Sequence, residues 1–152
     1  AKWNPTTRES ADHSLPYCVA VAFIEGDVTL DSFDEEHLRD SEVRILMDRI
    51  KVVRDPECNA QYPEGIPNDI EMECPGGPEV DTLTLRKKVV FPRGHARNPM
   101  TDDEVEAKFR NLARPRMSEA HIAEVLASLW KLDEISDAGA VLRLFAEVAK
   151  EG

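Results

Sequence analysis

Positive charge is scarce in this chain of 152 residues, where nineteen Lys and Arg stand against thirty Asp and Glu for a formal net charge of −11. A general nucleic-acid binder needs a basic surface for its phosphate contacts, so the balance argues against that class. An acidic surface reads first as a solubility device. Cysteine is sparse as well. Cys18, Cys58 and Cys74 are odd in number, with no Cys-x-x-Cys spacing and no paired histidines nearby, which gives neither a zinc signature nor a disulfide framework. Cys18 reads as a small core residue and Cys58 as a loop thiol, without the neighbours that activate a thiolate. No metal ligands are assigned. No apolar run approaches the length of a membrane span, and the N-terminus lacks the basic start and apolar stretch of a signal peptide. The expectation is a cytoplasmic protein with no membrane and no nucleic-acid partner. No internal repeat is visible, and the length suits a single domain over residues 1–152 with one sizeable core.

What is present is concentrated at a helix mouth. Ser14 is a good N-cap, which puts Pro16 in the first turn and Tyr17 at the third helical position. From Cys18 to Ile24 the residues are apolar on every side, so the helix is expected to be buried all round until Gly26 ends it in a left-handed cap. A short helix through Leu38 follows. In 41–50 the positions Val43, Leu46, Met47 and Ile50 mark one face of another helix.

Strands are expected next, at Lys51–Arg54, at Asp69–Cys74 and at Leu83–Phe91, with an irregular loop over 57–68. The last two read as an antiparallel hairpin joined through Pro75-Gly76-Gly77-Pro78. The final third is helical. Thr101 to Glu104 forms a capping box ahead of a stripe of Val105, Phe109 and Leu112. Ser118 caps a helix carrying Ile122, Val125, Leu126, Leu129 and Trp130, and Ser136 or Asp137 caps one carrying Val141, Leu144, Phe145 and Val148. Helices around a small antiparallel sheet of about three strands make the class α+β.

Two stretches could carry chemistry. His13 and Tyr17 lie four residues apart at the helix mouth, where the dipole favours a phenolate and free N–H groups favour a substrate carboxylate. The bland alternative is a capping His and a core Tyr whose hydroxyl meets a backbone carbonyl. The second stretch, from Phe91 through Arg93, His95 and Arg97 to Pro99, joins Arg86, Lys87 and Lys88 in a positive cluster suited to a di- or tricarboxylate. It reads equally as a solvated edge offset by neighbouring acids, or a loop docked on another chain. His37 and His121 sit among helical charges and read as surface residues.

The string Thr7-Arg8-Glu9-Ser10-Ala11-Asp12-His13-Ser14-Leu15-Pro16-Tyr17 resembles the MmgE/PrpD family, which includes 2-methylcitrate dehydratase, cis-aconitate decarboxylase and iminodisuccinate epimerase. The similarity continues through Gly26 to Leu30, through Val43 to Val53, and through Pro92-Arg93-Gly94-His95, Asn98 to Thr101 and Ala107 to Arg110. It implies the C-terminal lid portion of a longer or split two-domain enzyme, with helices of 101–149 running toward a helical domain that lies upstream or on a partner subunit. The full enzyme would be a homodimer. It would act without metal or organic cofactor on small di- or tricarboxylates such as 2-methylcitrate, by proton abstraction and elimination. The resemblance places Tyr17 near the substrate as a catalytic residue. His13 matches the motif histidine, and Arg93 and His95 match a loop taken here as substrate-binding. This chain alone would then be inactive, because one Tyr and one His cannot supply base, acid and carboxylate clamp together. The rival reading is a non-catalytic assembly or dimerisation module of the same fold.

Overall fold

The computed structural model describes residues 2–77 and 81–148 and divides the chain into two compact units, 1–59 and 60–152. The fold is α+β, with helices in both units and, among the described residues, one two-stranded sheet. None of the helices among the described residues is long and apolar enough to cross a membrane.

The first unit is helical. Its α1 (Arg8–Asp12) starts at a capping box in which Thr7 and Ser10 satisfy each other's backbone N–H groups. One residue separates His13, at the end of α1, from α2 (Leu15–Glu25), whose N-cap Ser14 accepts from the Tyr17 N–H. Gly26 ends α2 at φ 83°, a left-handed conformation that glycine adopts without a Cβ clash. A 3₁₀ turn, Asp31–Phe33, leads to α3 (Glu35–Arg39), capped by Asp34, and then to α4 (Ser41–Met47), capped by Asp40. The short α5 (Pro56–Ala60) follows.

The core of this unit is Ala11, Tyr17, Ala20, Val21, Leu38, Val43 and Met47, with Val28, Phe33, Leu46 and Ile50 packed around it. Each large side chain so buried stabilises the fold by roughly 1.5–3 kcal/mol. Arg44 fastens the N-terminal segment to this core, because its guanidinium donates to the carbonyls of Pro5 and Leu38, both at 2.6 Å.

Three expectations fail here. Helix α2 is not buried all round: Pro16, Tyr17, Ala20 and Val21 face the core, while Leu15, Phe23 and Ile24 are exposed. The cause is that α2 packs on α4 and α1 on one side, and one contact stripe covers only part of an apolar helix. Lys51–Arg54 is not a strand, since among the described residues no strand pairs with it and Val52 and Val53 are exposed. The 57–68 loop begins inside α5, where Asp55 accepts from the Glu57 and Cys58 N–H groups and caps a helical turn.

In the second unit, β1 (Asn68–Pro75) pairs antiparallel with β2 (Thr82–Val89), in a register that opposes Met72 to Leu85 and Asp69 to Lys88. One face carries Ile70, Met72, Cys74, Leu83, Leu85 and Val89. The other carries Asp69, Glu71 and Glu73 against Lys88, Arg86 and Thr84, so unlike charges meet across the strands. Both strands were expected; no third strand lies among the described residues, β2 ends at Val89 rather than Phe91, and part of the turn, from Pro78, lies outside the described residues.

Helix α6 (Asp102–Ala113) opens on the Thr101–Glu104 capping box. Ser118 caps α7 (Glu119–Leu129), and the Asp137 carboxylate accepts from the Gly139 N–H at the start of α8 (Ala138–Val148). Ile122, Val125, Leu126 and Val141 are buried, and Phe109 meets Phe145 edge-on at 6.4 Å. Val105 and Leu112 are exposed, because α6 meets α7 and, through Phe109, α8 with only part of its surface. The side chain of Val148 lies outside the described residues. His121 is not a free surface residue: its ring is half-buried, and Nε2 lies 2.8 Å from the Leu144 carbonyl, tying α7 to α8.

Candidate functional site

The break between α1 and α2 separates His13 from Tyr17. His13 ends the first helix with its side chain 75% exposed, beside a shallow depression of about 290 Å³ lined by Thr7, Glu9, Ser10 and His13 itself. Its Nδ1 lies 3.0 Å from the Glu9 carbonyl oxygen and also meets the Asp12 carboxylate. Both partners only accept, so Nδ1 carries the proton and Nε2 is the basic nitrogen of the neutral ring. Nε2 meets no partner among the described residues. The hydrogen bond to Asp12 raises the His13 pKa, and the Glu9 carbonyl adds to that effect. The arrangement is an acid-oriented imidazole with its free nitrogen turned outward.

Tyr17 is the opposite case. It is fully buried, its ring centroid lies 6.0 Å from that of Phe33, and its hydroxyl donates to the Ser32 carbonyl at 2.7 Å. A dipole-favoured phenolate was expected, but burial pushes the Tyr17 pKa up, outweighing the opposing pull of Arg44. Tyr17 therefore keeps its proton at neutral pH and acts as a donor. The four-residue spacing thus leaves one ring outside and one inside.

The Arg93–His95 stretch lies in the second unit as a tight turn. Gly94 sits at φ 93°, its N–H donates to the Asn98 carbonyl at 2.9 Å, and the Asn98 amide returns to the Phe91 carbonyl at 2.9 Å. Arg93 forms a fork with Glu104, Nε to Oε1 at 2.9 Å and Nη2 to Oε2, and also donates to Asn98 at 3.1 Å. That fork, with the Thr101 N–H, holds Glu104 down at a pKa of about 2. His95 stacks on Phe91 at 4.9 Å, and its Nδ1 accepts the Arg97 N–H at 3.1 Å. Neighbouring acids offset the cluster: Arg86 pairs with Asp69 and Arg97 with Glu64.

Sequence reasoning missed Asp12, Ser32 and Glu25. An acid immediately before a histidine was the available signal for Asp12. Nothing local marks Ser32, whose role depends on a carbonyl brought under Tyr17 from fifteen residues away. His37, read as a surface residue, is only 30% exposed and lies between two carboxylates.

A helical unit that presents an Asp-oriented histidine at a Thr-Arg-Glu-Ser-Ala-Asp-His-Ser-Leu-Pro-Tyr turn, and a unit built on a hairpin, match one described domain over residues 1–132, the MmgE/PrpD C-terminal domain. The chain belongs to the MmgE/PrpD family. It is 24% identical over 140 residues to the cis-aconitate decarboxylase of Mus musculus, covering 92% of this chain and 28% of that protein. It is 29% identical over 140 residues to the 2-methylcitrate dehydratase of Escherichia coli (strain K12), covering 87% of this chain and 28% of that one. The 2-methylcitrate dehydratase of Salmonella typhimurium is 30% identical with the same coverage. The chain thus spans little more than a quarter of the length of these curated relatives.

Proposed function

We propose that this chain is the C-terminal domain of a lyase or isomerase that acts on small di- or tricarboxylates, such as 2-methylcitrate, by proton abstraction and elimination. The observation that carries the reading is the Asp12–His13 pair, an exposed imidazole held through Nδ1 with a free Nε2, which suits a base that takes or returns a proton. Asp12 orients the ring through Nδ1 and raises its basicity. The names of the relatives, a decarboxylase and dehydratases of carboxylate substrates, support the substrate class.

Tyr17 takes the donor role. Its protonated hydroxyl suits a hydrogen bond to a substrate oxygen once it leaves the Ser32 carbonyl. Arg93 and His95 belong to the binding side, with Arg93 released from Glu104 when a substrate carboxylate competes for its fork. The partner is the helical N-terminal domain or a subunit that carries it, in a homodimeric enzyme. The chain alone is inactive because Tyr17 and His13 cannot by themselves supply base, acid and carboxylate clamp, and the helical domain completes the set.

The test joins this chain to a helical MmgE/PrpD domain and assays 2-methylcitrate, cis-aconitate and iminodisuccinate. Turnover of at least one of them, absent from either half alone, is the expected result. A folded, assembled enzyme that converts none of the three overturns the reading.

A further inference from the structure

Groups of the first unit that the carboxylate reading leaves unused meet around one imidazole ring. His37, in α3, has Nδ1 2.7 Å from the Asp34 carboxylate and Nε2 3.3 Å from Oε1 of Glu25. Glu25 closes α2, and its other oxygen accepts the Ser32 hydroxyl at 2.9 Å. Ser32 is fully buried, its Oγ also accepts the Thr29 N–H at 3.0 Å, and its carbonyl is the one that takes the Tyr17 hydroxyl. A continuous line of contacts therefore runs from Asp34 through His37, Glu25 and Ser32 to Tyr17.

The chemistry of imidazole sets the charge this arrangement requires. Both ring nitrogens face carboxylate oxygens, and a neutral ring has only one N–H, so one lone pair would be turned on an anion. Only the imidazolium meets both carboxylates with protons. The surroundings agree. Glu25 of α2, Asp34 at the cap and Glu36 of α3 bring negative charge to the ring. Of the nearby cations, Arg39 of α3 is taken by Glu35 at 2.8 Å and Arg44 of α4 by backbone carbonyls, while Arg8 of α1 reaches the carbonyls of Phe33 and Leu30 in the same loop.

We propose that His37 is a proton-operated clasp on the 27–34 loop: as imidazolium it draws Glu25 and Asp34 together and keeps Ser32 beneath the Tyr17 hydroxyl, and as neutral imidazole it lets Glu25 go and frees the loop. The hydrogen bond to Asp34 raises the His37 pKa, with burial opposing it. The clasp is therefore fully closed below the ordinary histidine value of about 6.5 and opens as pH rises through the higher folded value. Its effect on catalysis rests on the reading of Tyr17 as a substrate donor, under which Glu25, Ser32 and His37 are positioning residues for Tyr17. The clasp itself does not depend on that reading.

The test is an NMR titration of the full chain, following the histidine rings and ¹³C-labelled tyrosine rings from about pH 5 to 9, the span in which histidine titrates. Only Tyr17 and Tyr62 report, and Tyr62 is 70% exposed, so Tyr62→Phe leaves Tyr17 as the single signal. The expected result is a His37 midpoint above about 6.5, Tyr17 signals that move with the same midpoint, and a fall in both midpoints in Glu25→Gln. A His37 midpoint at or below about 6.5, or Tyr17 signals that stay still through the His37 titration, overturns the clasp. Should Glu25→Gln fail to fold, the comparison of the two midpoints in the parent chain decides alone. An assembled enzyme inactive on every carboxylate, with the clasp titrating as expected, removes the substrate reading and sustains the clasp.

Discussion

The Tyr17 hydroxyl donates to the Ser32 carbonyl at 2.7 Å, inside the core of the first unit and fifteen residues away along the chain. The bond fastens α2 to the 3₁₀ turn that precedes α3. Tyr17→Phe keeps the ring and its contact with Phe33 but leaves a buried carbonyl without its donor. A loss of about 1–3 kcal/mol in unfolding free energy is expected, read by urea denaturation of the chain. In the enzyme proposed above the same change is expected to lower kcat, and full turnover with Phe at this position would remove Tyr17 from the proposed mechanism.

Asp12 sets the basicity of His13. The hydrogen bond between them raises the histidine pKa, and a base works only above its own pKa, so the acid limb of kcat/KM for the assembled enzyme should lie above the ordinary histidine position. Asp12→Asn removes the negative charge and most of the shift. The acid limb moves to lower pH in that variant, and pH–rate profiles of the two enzymes check it.

Arg93 and Glu104 couple the 92–99 turn to the N-terminus of α6. The Glu104 pKa is depressed from the usual carboxylate range to about 2 by the Arg93 fork and the Thr101 N–H, so its folded form binds a proton later than its unfolded form. The sign follows: this stabilisation is present above the unfolded value of about 4.3 and is lost as pH falls toward about 2. Glu104→Gln should therefore be less stable than the parent at neutral pH and converge on it in strong acid, as followed by circular dichroism.

Met47 is a core residue of the first unit at 2% exposure, packed where α4 meets α2. Met47→Ala should cost about 2–5 kcal/mol, the spread reflecting how far the cavity collapses, and thermal melts monitor it.

Local chemistry was legible in the sequence wherever one or two side chains decide it. Ser14, Gly26, Thr101 with Glu104 and Ser118 cap helices as their types and spacings predict, because a cap is a bond made within four residues. The alternation in Asp69–Cys74 marked a strand, and its partner is the next extended segment along the chain. Burial was not legible at the same level. The apolar run of α2 and the stripe of α6 look alike whether one side or all sides are covered, and only the tertiary neighbours decide. His37 shows the same limit in the site: its flanking acids suggest solvent, yet Glu25 reaches it from twelve positions earlier, at the end of another helix. The bland reading of Tyr17, a hydroxyl on a backbone carbonyl, matches its geometry in this structure, and the carboxylate reading requires that bond to be exchanged.

The most direct measurement is kcat for the assembled enzyme carrying His13→Gln, at the pH optimum of the parent and on the substrate it converts best. Glutamine keeps a polar side chain of similar reach but cannot cycle a proton. A fall of about 100-fold or more in kcat, with assembly and KM little changed, is the predicted result. A His13→Gln enzyme that turns over at the parent rate would contradict the account, because the Asp12–His13 pair would then be a helix terminus and nothing more.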